Sequence, residues 1–133
     1  MASKPTQRSL AYLRKNGWTV CIVEKWIPPR GKMPFGVRID AFGFGDLLAC
    51  KPGVNFDAPA KIMKVGSIAL IQTTGAPSSG GWFAQHKAKI LAIPEFQKWK
   101  DAGGIVLLHG WRKGPKDGVR GARKVWTLRE EVL

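Results

Sequence analysis

The chain has 133 residues, a length suited to a single domain spanning 1–133, and its 44% hydrophobic content is too high for a disordered polymer. Its 22 Lys and Arg stand against 9 Asp and Glu, a formal net charge of +13. A domain this basic usually meets a polyanion, with DNA the leading partner. No apolar run approaches the ~18 residues a membrane span needs, and no signal-peptide core is visible, so an intracellular, cytoplasmic protein with no membrane partner is expected.

In chain order, "PTQRSLAYLRKNG" predicts a helix with Leu10 and Leu13 on one side and Asn16-Gly17 as its stop. "WTVCIVEKWI" is β-branched and aromatic and predicts a strand, and "PPRGKMPFG" a loop. A second extended segment runs from about Val37 to Cys50, with a bulge or tight bend at Gly43 and Gly45. "KPGVNFDAPAKIMKVG" reads mostly as loop. "SIALIQTT" reads as a strand buried on both faces. "GAPSSGG" is a connection, "WFAQHKAKILA" a helix, and Pro94 opens a further helical stretch through "EFQKWKDAGG". "GIVLLHGW" and "RKVWTLREE" are strands around the basic loop "RKGPKDGVRGA". The expected order is α-β-β-β-α-β-β, an α/β or α+β fold with a mixed sheet flanked by helices.

Cys21 and Cys50 fall in the strands, where small buried side chains are expected; there is no second pair for a zinc site, and His86 and His109 stand apart from them. The polar residues of the strands are more informative. In an unbroken strand Trp18, Val20, Ile22, Glu24 and Trp26 share a face, so Glu24 needs a partner, either a base or a metal. Asp46 directly precedes the apolar "LLAC", an unfavourable place for Asp, beside glycines that permit close approach. Asp40 lies on the same parity, ~20 Å away if the strand were straight. Only a bend at Gly43–Gly45 lets the two act together, with Asp46 as ligand and Asp40 as a supporting carboxylate. Gln72 shares a face with Ile68, Leu70 and Thr74, and its amide oxygen can serve a cation, a neighbouring strand or a water. Hard oxygen ligands favour Mg²⁺ or Mn²⁺ over zinc. Such a metal activates water and offsets the repulsion between scarce carboxylates and phosphate.

Five stretches carry a family resemblance: "GWTVCIVEKW", "RIDAFGFGDLLA", "ALIQTT", "HKAKI" and "VLLHGWRK". In order and spacing the chain resembles the PD-(D/E)XK nuclease superfamily, and more narrowly small phage-encoded proteins of the Holliday-junction-resolvase and restriction-endonuclease type. The resemblance implies a restriction-endonuclease-like core and metal-dependent cleavage of DNA. It places the superfamily's strand Asp on Asp46, its (D/E)XK tripeptide on Gln72-Thr73-Thr74 and its additional acid on Glu24. Gln72 stands where an acid is usual, and Thr74 where the catalytic lysine is usual. The lysine is then expected on the following helix, at Lys89 first and Lys87 second. A catalytically impaired DNA-binding protein of the same fold is the alternative.

For DNA, "WRKGPKDGVRGARKVW" offers Arg112, Lys113, Lys116, Arg120, Arg123 and Lys124 on a projecting loop or hairpin, Arg30 and Lys32 of "PPRGKM" are expected on the opposite wall, and Arg38 is a further candidate contact. Core packing is the expected role of the tryptophans, with base stacking the alternative for Trp82 and Trp111. Small nucleases of the resembled fold often pair to cut two strands, which makes a homodimer one expectation of the resemblance.

Overall fold

A computed structural model describes residues 3–32, 34–58, 61–75 and 81–133, with the backbone path alone for 54–58 and 61–65. The described residues form an α+β fold of three helices and seven strands. Helix α1 spans Lys4–Lys15. Ser3 caps it by accepting from Thr6 N, and Gly17 ends it in a left-handed conformation (φ 86°). Trp18 N and Gly17 N then donate back to Leu13 O and Arg14 O, which satisfies two end carbonyls. The strands β1 (Thr19–Ile22), β4 (Leu47–Ala58), β5 (Lys61–Gly75), β6 (Ile105–Pro115) and β7 (Lys124–Val132) form one sheet in the order β1-β4-β5-β6-β7. Strands β2 (Lys25–Ile27) and β3 (Val37–Ile39) form a separate hairpin. Helices α2 (Trp82–Leu91) and α3 (Pro94–Asp101) make the crossover between the parallel pair β5 and β6, and the other sheet pairings are antiparallel.

The element order is α-β-β-β-β-β-α-α-β-β: each of the first two expected strands is split in two, and the helical stretch opened by Pro94 is a helix of its own, α3. The first strand breaks after Ile22, because Val23 N and Glu24 N both turn onto the carbonyl of Asp46 (3.0 and 3.3 Å) and the chain leaves the sheet. The second breaks between β3 and β4. The stretch from Lys51 to Gly66, expected as loop, is mostly hairpin: β4 and β5 pair across it with a register shift between Lys51 and Val54. Its prolines and glycines hid the ladder, because a two-stranded extension needs no apolar run. Most of the expected connection "GAPSSGG", residues 76–80, lies outside the described residues.

Each face of the sheet carries a core. Leu13, Val20, Leu47, Ala49, Ala69, Ile71 and Leu107 pack on the α1 side. Phe44, Leu70, Phe83, Ile90, Phe96, Val106 and Leu108 pack on the α2–α3 side. The continuous burial expected for "SIALIQTT" holds at Ala69, Leu70 and Ile71, while Ile68 is exposed. Cys21 and Cys50 are exposed, contrary to expectation, because α1 covers the face carrying their neighbours Val20 and Ala49, while α2 and α3 on the other face pack over β5 and β6. Of the tryptophans expected in the core, Trp26 and Trp126 are half exposed, the latter under the guanidinium of Arg8 (3.5 Å). Trp18 and Trp99 pack at the core margins, and Trp111 is buried. No helix among the described residues is long and apolar enough to cross a membrane.

Helix α1 meets the sheet through hydroxyls as well as leucines. Its buried residues are Thr6, Ser9 and Leu13. Ser9 Oγ lies 2.8 Å from His109 Nδ1 and accepts from Trp111 Nε1 (2.8 Å), while His109 Nε2 lies 2.8 Å from Glu130 Oε2. Burial lowers the pKa of His109, against the raising effect of Glu130. A neutral imidazole satisfies every partner only if Ser9 donates to Nδ1 and the Nε2–H donates to Glu130. The Ser–His–Glu order imitates a hydrolase triad, but Ser9 is 0% exposed and already holds the Trp111 indole. Its role is to fasten α1 to β6 and β7. Ser9→Ala strands the Trp111 donor and one imidazole nitrogen, and we expect it to cost about 1–3 kcal/mol. A denaturation midpoint measured with an unchanged m-value checks this.

Candidate metal centre

The turn between β3 and β4 supplies the bend on which the expectation for Asp40 and Asp46 depended. Ala41 and Gly45 exchange two backbone hydrogen bonds of 2.8 Å, and Phe44 N donates to Ala41 O (3.1 Å). Phe42 (φ 54°) and Gly43 (φ 82°) both take positive φ at the tip. Asp40 and Asp46 leave the base of this turn side by side. Glu24 joins them because the Asp46 carbonyl holds the backbone at Val23 and Glu24. One oxygen from each of Glu24, Asp40 and Asp46 lies within 4.8 Å of the others. Three of the nine acids in a chain of charge +13 thus converge on one point.

Asp46 is the buried member, 4% exposed. Its Oδ2 accepts from Thr73 N (2.7 Å), Thr73 Oγ1 (3.1 Å) and Gln72 Nε2 (3.1 Å). Thr73 Oγ1 lies 2.8 Å from Thr6 Oγ1, which lies 2.8 Å from Ser3 Oγ, so the N-terminus of α1 buttresses the carboxylate through hydroxyls. Burial pushes the pKa of Asp46 up to about 8; the Thr73 amide opposes this, and the neighbouring Asp40 and Glu24 carboxylates add to it. Three donors favour the ionised form but lose to desolvation and like charge.

The donor set fits a hard cation on two counts. Glu24 Oε1 is buried and has no hydrogen-bond partner among the described residues, a costly state that a cation would relieve. Three oxygens all within 4.8 Å of one another also fit inside the ~4–5 Å span across the ligand sphere of Mg²⁺, Mn²⁺ or Ca²⁺. Carboxylates without sulfur or imidazole select the hard members of that set.

The other residues singled out in the sequence divide. Gln72 spends its amide N–H on Asp46, so it orients the carboxylate, and only its carbonyl oxygen is left to face a ligand. Lys89 lines a small pocket with Gln72, His86, Gly43 and Phe44, with a volume of about 30 Å³, room for a water or two. Lys87 instead pairs with Glu131 on β7. Thr74 Oγ1 accepts from Trp82 Nε1 (2.8 Å) and lies 3.1 Å from His86 Nε2. Burial and then Lys89 lower the pKa of His86, with Asp40 opposing. Trp111 is buried in the core and takes no part.

Thr6, Thr73 and His86 were not found by reading the sequence. His86 had a legible signal, since Trp82, His86 and Lys89 share one face of a helix. Thr73 had none, because strand alternation sends it away from Gln72, and only the carboxylate of another strand turns it into a ligand of the site.

Topology gathers the basic residues at the same end. Strands β1, β5 and β6 all run toward Gln72–Thr74. Strand β6 then continues from Gly110, level with Thr74, to Pro115, roughly 17 Å further at strand rise. Arg112, Lys113, Lys116, Arg120, Arg123 and Lys124 are exposed along that projection, and no salt bridge among the described residues engages them. Arg30, Lys32 and Arg38, also exposed, lie on the excursion between Ile22 and Asp40, which leaves and re-enters the fold at the carboxylates.

In comparisons with known proteins, no family model, curated protein or solved structure matches the chain.

A carboxyl whose pKa is raised on folding binds its proton more tightly in the native state. Its stabilisation is complete below the unfolded value of 3.8 and is lost as the pH rises through about 8. Without metal, the melting temperature should therefore fall between pH 6 and pH 9. In Asp46→Asn, which keeps an oxygen for the three donors and carries no charge, this fall should flatten and the protein should be more stable than wild type at pH 8. Added Mg²⁺ or Mn²⁺ should raise the melting temperature of the wild type alone, most at high pH. Thermal melts with EDTA or metal across that range check all three outcomes.

Proposed function

We propose that the chain is a Mg²⁺- or Mn²⁺-dependent DNA endonuclease with a restriction-endonuclease-like core. One observation carries the reading: three of the few carboxylates converge, one with an orphaned buried oxygen, at the sheet end where two basic excursions also arise. Such an arrangement suits a cation between acid and phosphate. It supplies the reason for carboxylates where a polyanion is to be held.

When bound, the metal supplies Lewis-acid stabilisation of phosphodiester charge and an activated water. Glu24, Asp40 and Asp46 would hold it. Gln72 and Thr73 aim Asp46, and Thr6 steadies Thr73. Lys89, on the pocket wall, stabilises negative charge building on the phosphate, in the role the resemblance assigns to a lysine after the strand. Lys87 is committed to Glu131 and serves the packing of α2 on β7. His86, also on that wall, is held toward its neutral form by burial and by Lys89 and so offers a base there. The reading carries with it a cytoplasmic enzyme and, for cuts in both strands, a pair of copies.

A second reading, a DNA-binding protein of the same fold without cleavage, draws on Gln72 and Thr74, which stand where the superfamily has its acid and its lysine. Incubation of the pure protein with labelled branched, flapped and duplex DNA in Mg²⁺, Mn²⁺ or EDTA separates the two. We expect metal-dependent cleavage, reduced by at least about a hundredfold in Asp46→Asn and in Glu24→Gln. Binding without cleavage in either metal establishes the second reading. Under both readings the six hairpin cations should give a logarithmic salt dependence of slope roughly −5, and each Ala replacement among them should reduce it by about 1. A slope near zero would remove the hairpin from the interface.

A further inference from the structure

Trp82 opens α2 with 49% of its surface exposed, an unusual cost for the largest apolar side chain, and yet its ring is not free to turn. Its indole N–H is fixed on Thr74 Oγ1 at 2.8 Å, and its ring meets His86 edge-on at a centroid distance of 5.3 Å. Thr74 is the next residue on the same strand face after Gln72, a step of ~7 Å from the side chain that orients Asp46. An apolar plane is therefore held half in solvent against His86, which lines the small pocket together with Gln72.

A second exposed aromatic stands on the turn that borders the pocket. Phe42 is 57% exposed at the tip of the turn that carries Asp40 and Asp46. Its φ of 54° suits Gly or Asn and strains a bulky side chain. The two following residues, Gly43 and Phe44, line the pocket with His86 and Lys89. Packing against Trp99 (6.0 Å, 41°) accounts for one side of the Phe42 ring and leaves the other in solvent.

We propose that the substrate strand reaches this site with an unpaired base stacked on Trp82, so that the preferred DNA is single-stranded, flapped or gapped at the point of attack. This inference rests on the DNA reading of the site. The indole has already spent its one donor on Thr74, so its ring face is what remains for a ligand. Faces do not read base edges, so recognition is tolerant of sequence. A base offers its face only where pairing or stacking is interrupted, which excludes intact duplex as the best ligand. Exposed Lys89, two turns along the same helix face, holds the adjoining phosphate.

The test is binding, read by anisotropy of labelled oligonucleotides in EDTA, so that it does not depend on cleavage. Wild type should prefer a single strand or a flap over blunt duplex and should bind the single strand more weakly when the central nucleotides are abasic. Trp82→Ala should lose roughly tenfold for the single strand, keep its duplex affinity and no longer distinguish the abasic strand. Trp82→Phe, which keeps a ring without the N–H, should recover most of the loss, an outcome that a merely structural indole would not produce. Circular dichroism and melts of both variants establish that they are folded. Equal losses for single strand and duplex, an unchanged abasic penalty in Trp82→Ala, or no preference for unpaired DNA in the wild type would each overturn the proposal. Absence of cleavage in Mg²⁺ and Mn²⁺ with the binding pattern intact would count against the nuclease reading and leave this one standing.

Discussion

The structure turns on one carboxylate that folding treats badly. Asp46 is buried beside two other acids, and three donors on one of its oxygens do not restore its ordinary acidity. The same residue is a structural junction. Its side chain ties β4 to the end of β5, and its carbonyl collects Val23 and Glu24 as the chain leaves β1. Removing the charge would ease the fold, so the fold alone gives no reason to keep it. On the proposed reading, the bound cation is what this charge serves.

The two faces of the sheet contribute unequally to that point. On the α2–α3 side the core is apolar up to Phe83 and Ile90, and polarity begins only with Gln72, His86 and Lys89 around the pocket. On the α1 side hydroxyls run along the helix, with Ser3 and Thr6 reaching Asp46 through Thr73 and Ser9 holding His109 and Trp111. Helix α1 therefore acts as a rigid buttress to the carboxylate, and its second polar contact anchors it to the far strands. The buried Ser9–His109–Glu130 series is part of this scaffold.

The charge distribution follows the same geometry. Strands β1 and β6 both run toward the carboxylates; β1 ends there at Ile22, where the chain leaves the sheet, and β6 continues beyond Gly110, so both basic excursions arise at that end. On the proposed reading, the metal reconciles the two signs of charge, and the exposed aromatics at the rim take the part of the ligand that charge does not engage.

Much of this was legible in the sequence. The helix boundaries at Asn16–Gly17 and Pro94, the buried run of β5, the basic hairpin and the conditional pairing of Asp40 with Asp46 all follow from local chemistry: capping, proline placement, hydrophobic runs and the conformational freedom of Gly43. What local chemistry misled on was long pairing without an apolar pattern, as in the β4–β5 extension, and side-chain burial at a sheet edge, as with Cys21, Cys50 and Trp126. By itself the sequence determined which residues carry unusual chemistry, since an acid before "LLAC" or an amide inside "ALIQTT" conflicts with its immediate surroundings. Only the tertiary structure decided which of them meet. Glu24 arrives because a backbone carbonyl breaks its strand, Thr73 because Asp46 reaches across from β4, and Lys87 departs because Glu131 lies beneath it. Each outcome depends on residues more than twenty positions away, and periodicity along a chain carries no information at that range.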